Sequence, residues 1–234
     1  MVDWLFAPID ASRAHTVDLG IAWHARLMVL AWGIALPCGV LAARFFKIMP
    51  GQDWPAHIDN RAWWHTHLTL QYGGGFLTLI ALGLILFGSA RSGNAGLHGL
   101  FGWSVIALAA TQFLGGWLRG SKGGPTDPNP DGSLAGDHYD MSFRRLVFEY
   151  VHKSAGYAAI LLAACAIATG LWQANAPRWM PILIASWWAL LVVLFIVFQR
   201  RGMAVDTYQA IWGPDPRHPG NRRTPIGWGI RRRT

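Results

Sequence analysis

Five stretches of this chain are long and apolar enough to cross a lipid bilayer, which takes about 20 residues in a helix. They run from Gly20 to Phe46, Ala62 to Ala90, Ser92 or Gly96 to Leu118, Val147 to Gln173, and Trp179 to Gln199. A hydrocarbon core offers no water to backbone groups, so each stretch must close its hydrogen bonds internally, as a helix. Of the 234 residues, 53% are hydrophobic and 14% charged, against roughly 25% charged in soluble domains. A soluble globular fold is thereby excluded. The length suits one compact all-α membrane bundle of five transmembrane helices. Residues 1–19 form a short extracytoplasmic segment, 20–200 the transmembrane domain and 201–234 a basic cytoplasmic tail. No signal peptide is expected, because the N-terminus is acidic and the first apolar run is too long. Cys38 and Cys165 both lie in apolar runs, which argues against a disulfide scaffold or a thiolate metal site. Pro37 lacks the N–H that the Gly33 carbonyl would use in a helix, so a local kink is predicted in the first span.

The basic residues set the orientation. With five spans the termini face opposite sides. One side receives Arg13, Arg26, Arg91 and Arg178, and the other receives the remaining sixteen of the twenty Lys and Arg residues. The positive-inside rule places the N-terminus outside and the C-terminus in the cytoplasm, in a bacterial inner membrane. Trp23, Trp63, Trp64, Trp117, Trp172 and Trp179 fall near span ends, as amphipathic rings in a headgroup layer do. Nucleic acid is not an expected partner, since the basic residues sit at membrane edges and in the tail rather than on a recognition motif. The loop from Gly120 to Ser142 is rich in Gly, Pro and Asp and reads as irregular. The segment after Arg201 reads as too polar to fold alone, either mobile or laid along the membrane or a partner.

Four of the five spans carry a histidine inside the apolar register, each within about two turns of its helix start: His24, His67, His98 and His152. Helices one and three begin outside, so His24 and His98 occupy the outer half; His67 and His152 occupy the inner half. An ionisable residue within a span is costly enough to mark a functional site. A lone histidine can serve simply as an interhelical hydrogen-bond donor, but independent packing roles need no matching in depth. Two imidazoles at each of two levels suit bis-histidine ligation of a flat, apolar macrocycle, a haem. Zinc fits less well, because no cysteine or carboxylate completes a tetrahedron. His98 is followed four residues on by Gly102 and Trp103, and His152 by Gly156 and Tyr157. One turn beyond each ligand the side chain is missing, which leaves room for a porphyrin edge. Gly73-Gly74-Gly75 thins the second helix beyond His67 in the same way. Ligands about 6–9 Å inside a core of about 30 Å would place the irons roughly 12–18 Å apart in depth.

Around these histidines the chain resembles the cytochrome b561 family. The likeness is to a bacterial-type membrane module of the ferric-reductase-like, DOMON-associated branch, without the DOMON domain. Trp23-His24-Ala25-Arg26-Leu27-Met28, continuing to Pro37 and Arg44, is similar to the family's first ligand helix. His67 resembles the second ligand because it precedes Gln71 by four, which selects it over His65. Leu97-His98-Gly99-Leu100-Phe101-Gly102 and Val151-His152-Lys153-Ser154-Ala155-Gly156-Tyr157 resemble the third and fourth ligand helices. The likeness covers about Gly20 to Gln199 and differs in having five spans rather than six. It implies two b haems, pairs the first ligand with the third and the second with the fourth, and implies electron transfer across the membrane.

Basic residues near the ligands are candidates for the haem propionates. These are Arg26 on the outer side, where the alternative is a snorkelling interfacial arginine, and Arg119, Lys122 and Arg144 on the inner side, beside Arg145 and Lys153. Asp137, His138, Tyr139 and Asp140 offer a quinol or metal site but read better as a solvated loop. Three functional readings follow: a membrane cytochrome within a larger respiratory or photosynthetic complex, an autonomous ferric or quinone-linked reductase, and a structural or assembly subunit with haem vestigial or absent. The expected partners are the lipid bilayer and an electron donor and acceptor, such as a quinol, a small reductant or a redox protein.

Overall fold

A computed structural model describes residues 2–15, 18–88, 95–121, 125 and 128–233. The described elements are α1 (Val2–Phe6), α2 (Leu19–Phe45), α3 (Ala62–Phe87), α4 (Gly96–Leu118), α5 (Phe143–Gln173), α6 (Trp179–Arg200), α7 (Thr207–Trp212) and a 3-10 turn at Pro219–Arg222. No strand occurs among the described residues; pairing is limited to single bridges at Pro8–Pro177 and Val205–Arg231. Helices α2 to α6 are each long and apolar enough to span a membrane, so this is an integral membrane protein with five candidate spans.

Local chemistry sets the helix starts. The Asp18 carboxylate accepts the Gly20 N–H at 2.7 Å, and Asn60 accepts from Ala62 at 2.9 Å. Ser142 accepts the Arg145 N–H at 3.3 Å, which starts α5 at Phe143, four residues before the expected Val147. Apolar patterning missed that polar first turn, because a side-chain cap rather than lipid burial begins the helix. The expected extensions of the second span to Ala90 and of the third to Ser92 lie outside the described residues. The predicted irregularity in the first span takes the form of a π-helical stretch, Val29–Ala35, just before Pro37.

The chain divides into two compact units, and each span contributes to both. The first comprises Met1–Cys38, Thr69–Ala109 and Ala158–Leu194. Its core joins Trp32, Leu36 and Val105 with Ala31, Ala159, Ala163 and Ile167. Small residues let the helices approach closely: a Cβ on Gly74 would come within 2.8 Å of Leu36. Trp32 donates its indole N–H to Thr78 at 3.0 Å, and the Thr78 hydroxyl in turn donates to the Gly74 carbonyl at 2.8 Å.

The second unit comprises Gly39–Leu68, Ala110–Tyr157 and Phe195–Thr234. Phe45 is fully buried against Phe195 and Phe198. Here the expectation for the C-terminal segment is corrected. Residues 201–233 are folded onto their own chain, with Tyr208, Ala210, Ile211, Trp212 and Ile226 all buried. Overall polarity concealed a short apolar run that packs against Trp63 and Met141. Buried and half-buried cations on and just beyond the spans also use the segment's carbonyls. Lys47 donates to the Val205 carbonyl at 3.1 Å, Lys153 to Ile226 at 2.8 Å and Arg44 to Trp228 at 2.6 Å.

Candidate functional site

In the first unit His24 on α2 and His98 on α4 face each other, with ring centres 6.2 Å apart and planes at 86°. In the second unit His67 on α3 and His152 on α5 stand 6.3 Å apart at 79°. Each ring is braced from a neighbouring helix. His24 Nδ1 meets the Ala81 carbonyl of α3 at 2.9 Å, and His67 Nδ1 meets the Gly39 carbonyl of α2 at 3.0 Å. His98 Nδ1 meets the Ala166 carbonyl of α5 at 2.9 Å. His152 Nδ1 faces the Gln112 side-chain amide of α4 at 2.7 Å. The bracing is therefore reciprocal within the helix pairs α2/α3 and α4/α5, whereas the facing imidazoles link α2 to α4 and α3 to α5.

A carbonyl only accepts, so Nδ1 of His24, His67 and His98 carries the proton and Nε2 presents its lone pair. That is the tautomer a metal ligand requires. In the orientation that satisfies both of its ends, the Gln112 amide N–H donates to His152 Nδ1 and to the His152 carbonyl at 3.0 Å, while its oxygen accepts the Gly156 N–H at 3.3 Å. His152 is thus the one ring of the four whose tautomer depends on a side chain that can turn over.

The separations suit a bis-imidazole metal. A metal–nitrogen bond of about 2 Å plus about 1.1 Å from nitrogen to ring centre, doubled, gives about 6.2 Å. Among the described residues no group of three or more His, Cys, Asp or Glu side chains is arranged around one ion; the imidazoles come in twos. A Cβ at Gly102 would meet nothing within 4 Å, so that face beside His98 is open. At Gly156 a Cβ would meet Gln112 at 3.5 Å, so its missing side chain seats that amide. His152 also lines an apolar groove of about 350 Å³ with Leu114, Val147, Phe148 and Val151. The residues present fit a haem at each pair.

The basic candidates are differently placed. Arg26 is exposed and lies over the Trp23 ring at 5.3 Å. Arg119 lies over Trp64 at 4.4 Å, and Trp64 in turn is 6.1 Å from the His67 ring. Arg144 is exposed and pairs with Asp137, whose carboxyl is held down to about 2, chiefly by its bond to Arg144. Lys122 lies outside the described residues.

The expectation of a solvated 137–140 loop does not hold for His138, which is fully buried and receives the Trp212 indole N–H at 3.2 Å. Its polar neighbours in sequence hid this, because the burying ring comes from α7, far along the chain. Sequence reasoning also missed Gly170, where a Cβ would stand 3.0 Å from the His98 imidazole, and Gln112. Neither carries a local motif, and only their spacing from a ligand on another helix distinguishes them.

Several known proteins share this membrane region. A cytochrome b561, DM13 and DOMON domain-containing protein of Arabidopsis thaliana is 34% identical over 150 residues, covering 63% of this chain and 14% of that protein. Bovine ferric-chelate reductase 1 is 31% identical over 165 residues, 70% of this chain and 24% of the relative. A cytochrome b561 and DOMON domain-containing protein of Arabidopsis is 29% identical over 150 residues, 63% of this chain and 27% of its own length. The match thus spans about a quarter or less of these much longer proteins. No protein-family profile matches the chain, and no solved structure is significantly similar to it. The relatives support a cytochrome b561-type family for this membrane region.

Proposed function

We propose that this chain carries electrons across a bacterial inner membrane through two b haems, an outer one held by His24 and His98 and an inner one held by His67 and His152. The N-terminal segment lies outside, and the segment 201–234 lies in the cytoplasm. The observation that carries this reading is the pair of facing imidazole sets at 6.2 and 6.3 Å, in a chain resembling proteins named as cytochrome b561 and ferric-chelate reductase. Bound b haem supplies a one-electron carrier whose potential follows its axial ligands and surroundings. The chain's own residues do the positioning. Carbonyls of Ala81, Gly39 and Ala166 hold the Nδ1 protons, so the rings keep one orientation in both redox states. Arg26 on the outer side, and Arg119, Lys122 and Arg144 on the inner side, are the candidates to offset propionate charge.

Electron donor and acceptor must dock from opposite sides. The folded C-terminal segment exposes Arg222, Arg223, Arg231 and Arg233, and Trp228 is exposed as well. That basic surface favours a second reading, in which the chain is the cytochrome subunit of a larger redox complex. A pyridine haemochrome assay on the purified chain tests the proposal, together with reduced-minus-oxidised spectra of His24→Ala and His67→Ala. Two b haems, a different one lost in each variant, are expected. No haem, or one that survives both substitutions, overturns it and leaves the structural-subunit reading.

A further inference from the structure

The second unit holds a small, partly open cavity of about 30 Å³ between Trp63, Trp64, Arg119, His138 and Arg145, bounded by Thr207 and Ile211 of α7. That volume holds a carboxylate head or one or two waters. Arg145 is 6% exposed; its Nε donates to Glu149 at 3.1 Å, while its buried Nη1 has no hydrogen-bond partner. Glu149 is already shared with Lys153 at 2.8 Å and lies 3.9 Å from His138. One carboxylate therefore serves two full cations, and Arg119 lines the cavity wall. A buried guanidinium N–H without an acceptor is costly, and an anion in the cavity relieves it.

The cavity adjoins the inner histidine pair through two aromatic rings. Arg119 lies over Trp64, which neighbours His67. Arg145 lies 5.1 Å over Phe148, which stacks on His152 at 5.0 Å. Both arginines thus stand one ring away from an inner ligand. We infer that this cavity is a carboxylate receptor, filled by a propionate of the haem held by His67 and His152, with α7 as its lid. The inference rests on the proposed function. It assigns the main anchor to Arg145, and the closure to the C-terminal segment, rather than to the exposed Arg144.

The test uses the full-length chain loaded with haem b or with its dimethyl ester, which lacks the propionate charges. The rate of haem loss to apomyoglobin and the midpoint potential are followed for each site. In the unaltered chain the ester is expected to leave the inner site roughly 10–100-fold faster than haem b does, in the range seen when a ligand's supporting contacts are removed. Arg145→Gln should speed haem b loss from the inner site by a similar factor, lower its potential and spare the outer site. With the ester, Arg145→Gln should add nothing further, because the two changes remove one interaction. Arg145→Lys should fall between, keeping charge without the planar fork. An effect of Arg145→Gln that persists with the ester overturns the propionate assignment. If phosphate or acetate then restores retention, the receptor is for a free anion. Equal retention of haem b and its ester in the unaltered chain also overturns the inference, even if Arg145→Gln does not fold. Absence of any haem from the unaltered chain defeats the proposed function itself, a distinguishable result.

Discussion

The indole N–H of Trp187 on α6 donates to the Gly33 carbonyl at 2.9 Å, the carbonyl for which Pro37, four residues on, has no N–H. One helix supplies by side chain what another lost to proline. This bond ties α6 to α2 within the first unit, where Trp188 packs on the core. Trp187→Phe should destabilise the detergent-solubilised protein by about 0.5–1.5 kcal/mol, the usual range for an interhelical hydrogen bond in membranes. In a Pro37→Ala background, where residue 37 regains its N–H, the loss should be smaller. Equal losses in both backgrounds, measured by reversible unfolding, would show that the two residues are uncoupled.

The imidazole planes of both pairs are close to perpendicular, at 86° and 79°. Perpendicular axial planes leave the iron d orbitals nearly degenerate. If each pair ligates a haem as proposed, each oxidised haem should therefore give a strongly anisotropic, large-g low-spin EPR signal. Rhombic spectra typical of parallel imidazoles would show that the rings rotate when haem binds.

Gly170 gives the His98 ring its space, since a Cβ there would stand 3.0 Å from the imidazole. Gly170→Ala should displace His98 and weaken or abolish the haem proposed at His24 and His98 while leaving the one proposed at His67 and His152. Haem content and redox spectra measure this, and equal loss of both haems would count against a local effect.

Gln112 is the only side chain among the four braces. Gln112→Glu offers His152 Nδ1 a charged acceptor, so it should lower the inner potential and leave the outer one unchanged. Once His152 Nε2 ligates as proposed, Nδ1 carries the proton and the Gln112 amide must turn its oxygen towards it; Gln112→Leu leaves that N–H without an acceptor and should raise the inner potential. A redox titration in which both substitutions shift it the same way would rule out an Nδ1 effect.

Lys47 is 5% exposed, and burial, helped by the nearby Lys153 and Arg44, lowers its pKa from 10.5 to about 7. Asp206 and Glu149 oppose that shift. Between pH 7 and 10.5 the unfolded chain binds more protons at this residue, so its contribution to stability rises with pH across that window. Below pH 7 the full cost of burying the charge applies. Thermal unfolding from pH 6 to 10 should show a rise in the native chain that is weaker in Lys47→Met. Identical pH profiles would exclude Lys47 as the source.

The five spans and the four histidines were legible in the sequence because each depends on a local quantity. A run of about 20 apolar residues has few alternatives to a membrane helix, and His24, His67, His98 and His152 stand out within such runs. The weak point Pro37 makes in the first span was legible too, since the missing N–H is a property of the residue itself. What repairs it was not: Trp187 lies 154 residues from Gly33, and no local pattern links them. The same holds for the C-terminal segment. Its average polarity concealed Tyr208, Ile211 and Trp212, whose burial depends on Trp63 and Met141 meeting them. Burial of His138, the seat that Gly170 leaves for His98 and the acceptor-less N–H of Arg145 were likewise decided by tertiary packing. Composition and spacing determine which residues enter the membrane and which can ligate. Only the meeting of distant segments determines which polar groups find partners there, because in a medium without water every such partner has to come from the protein.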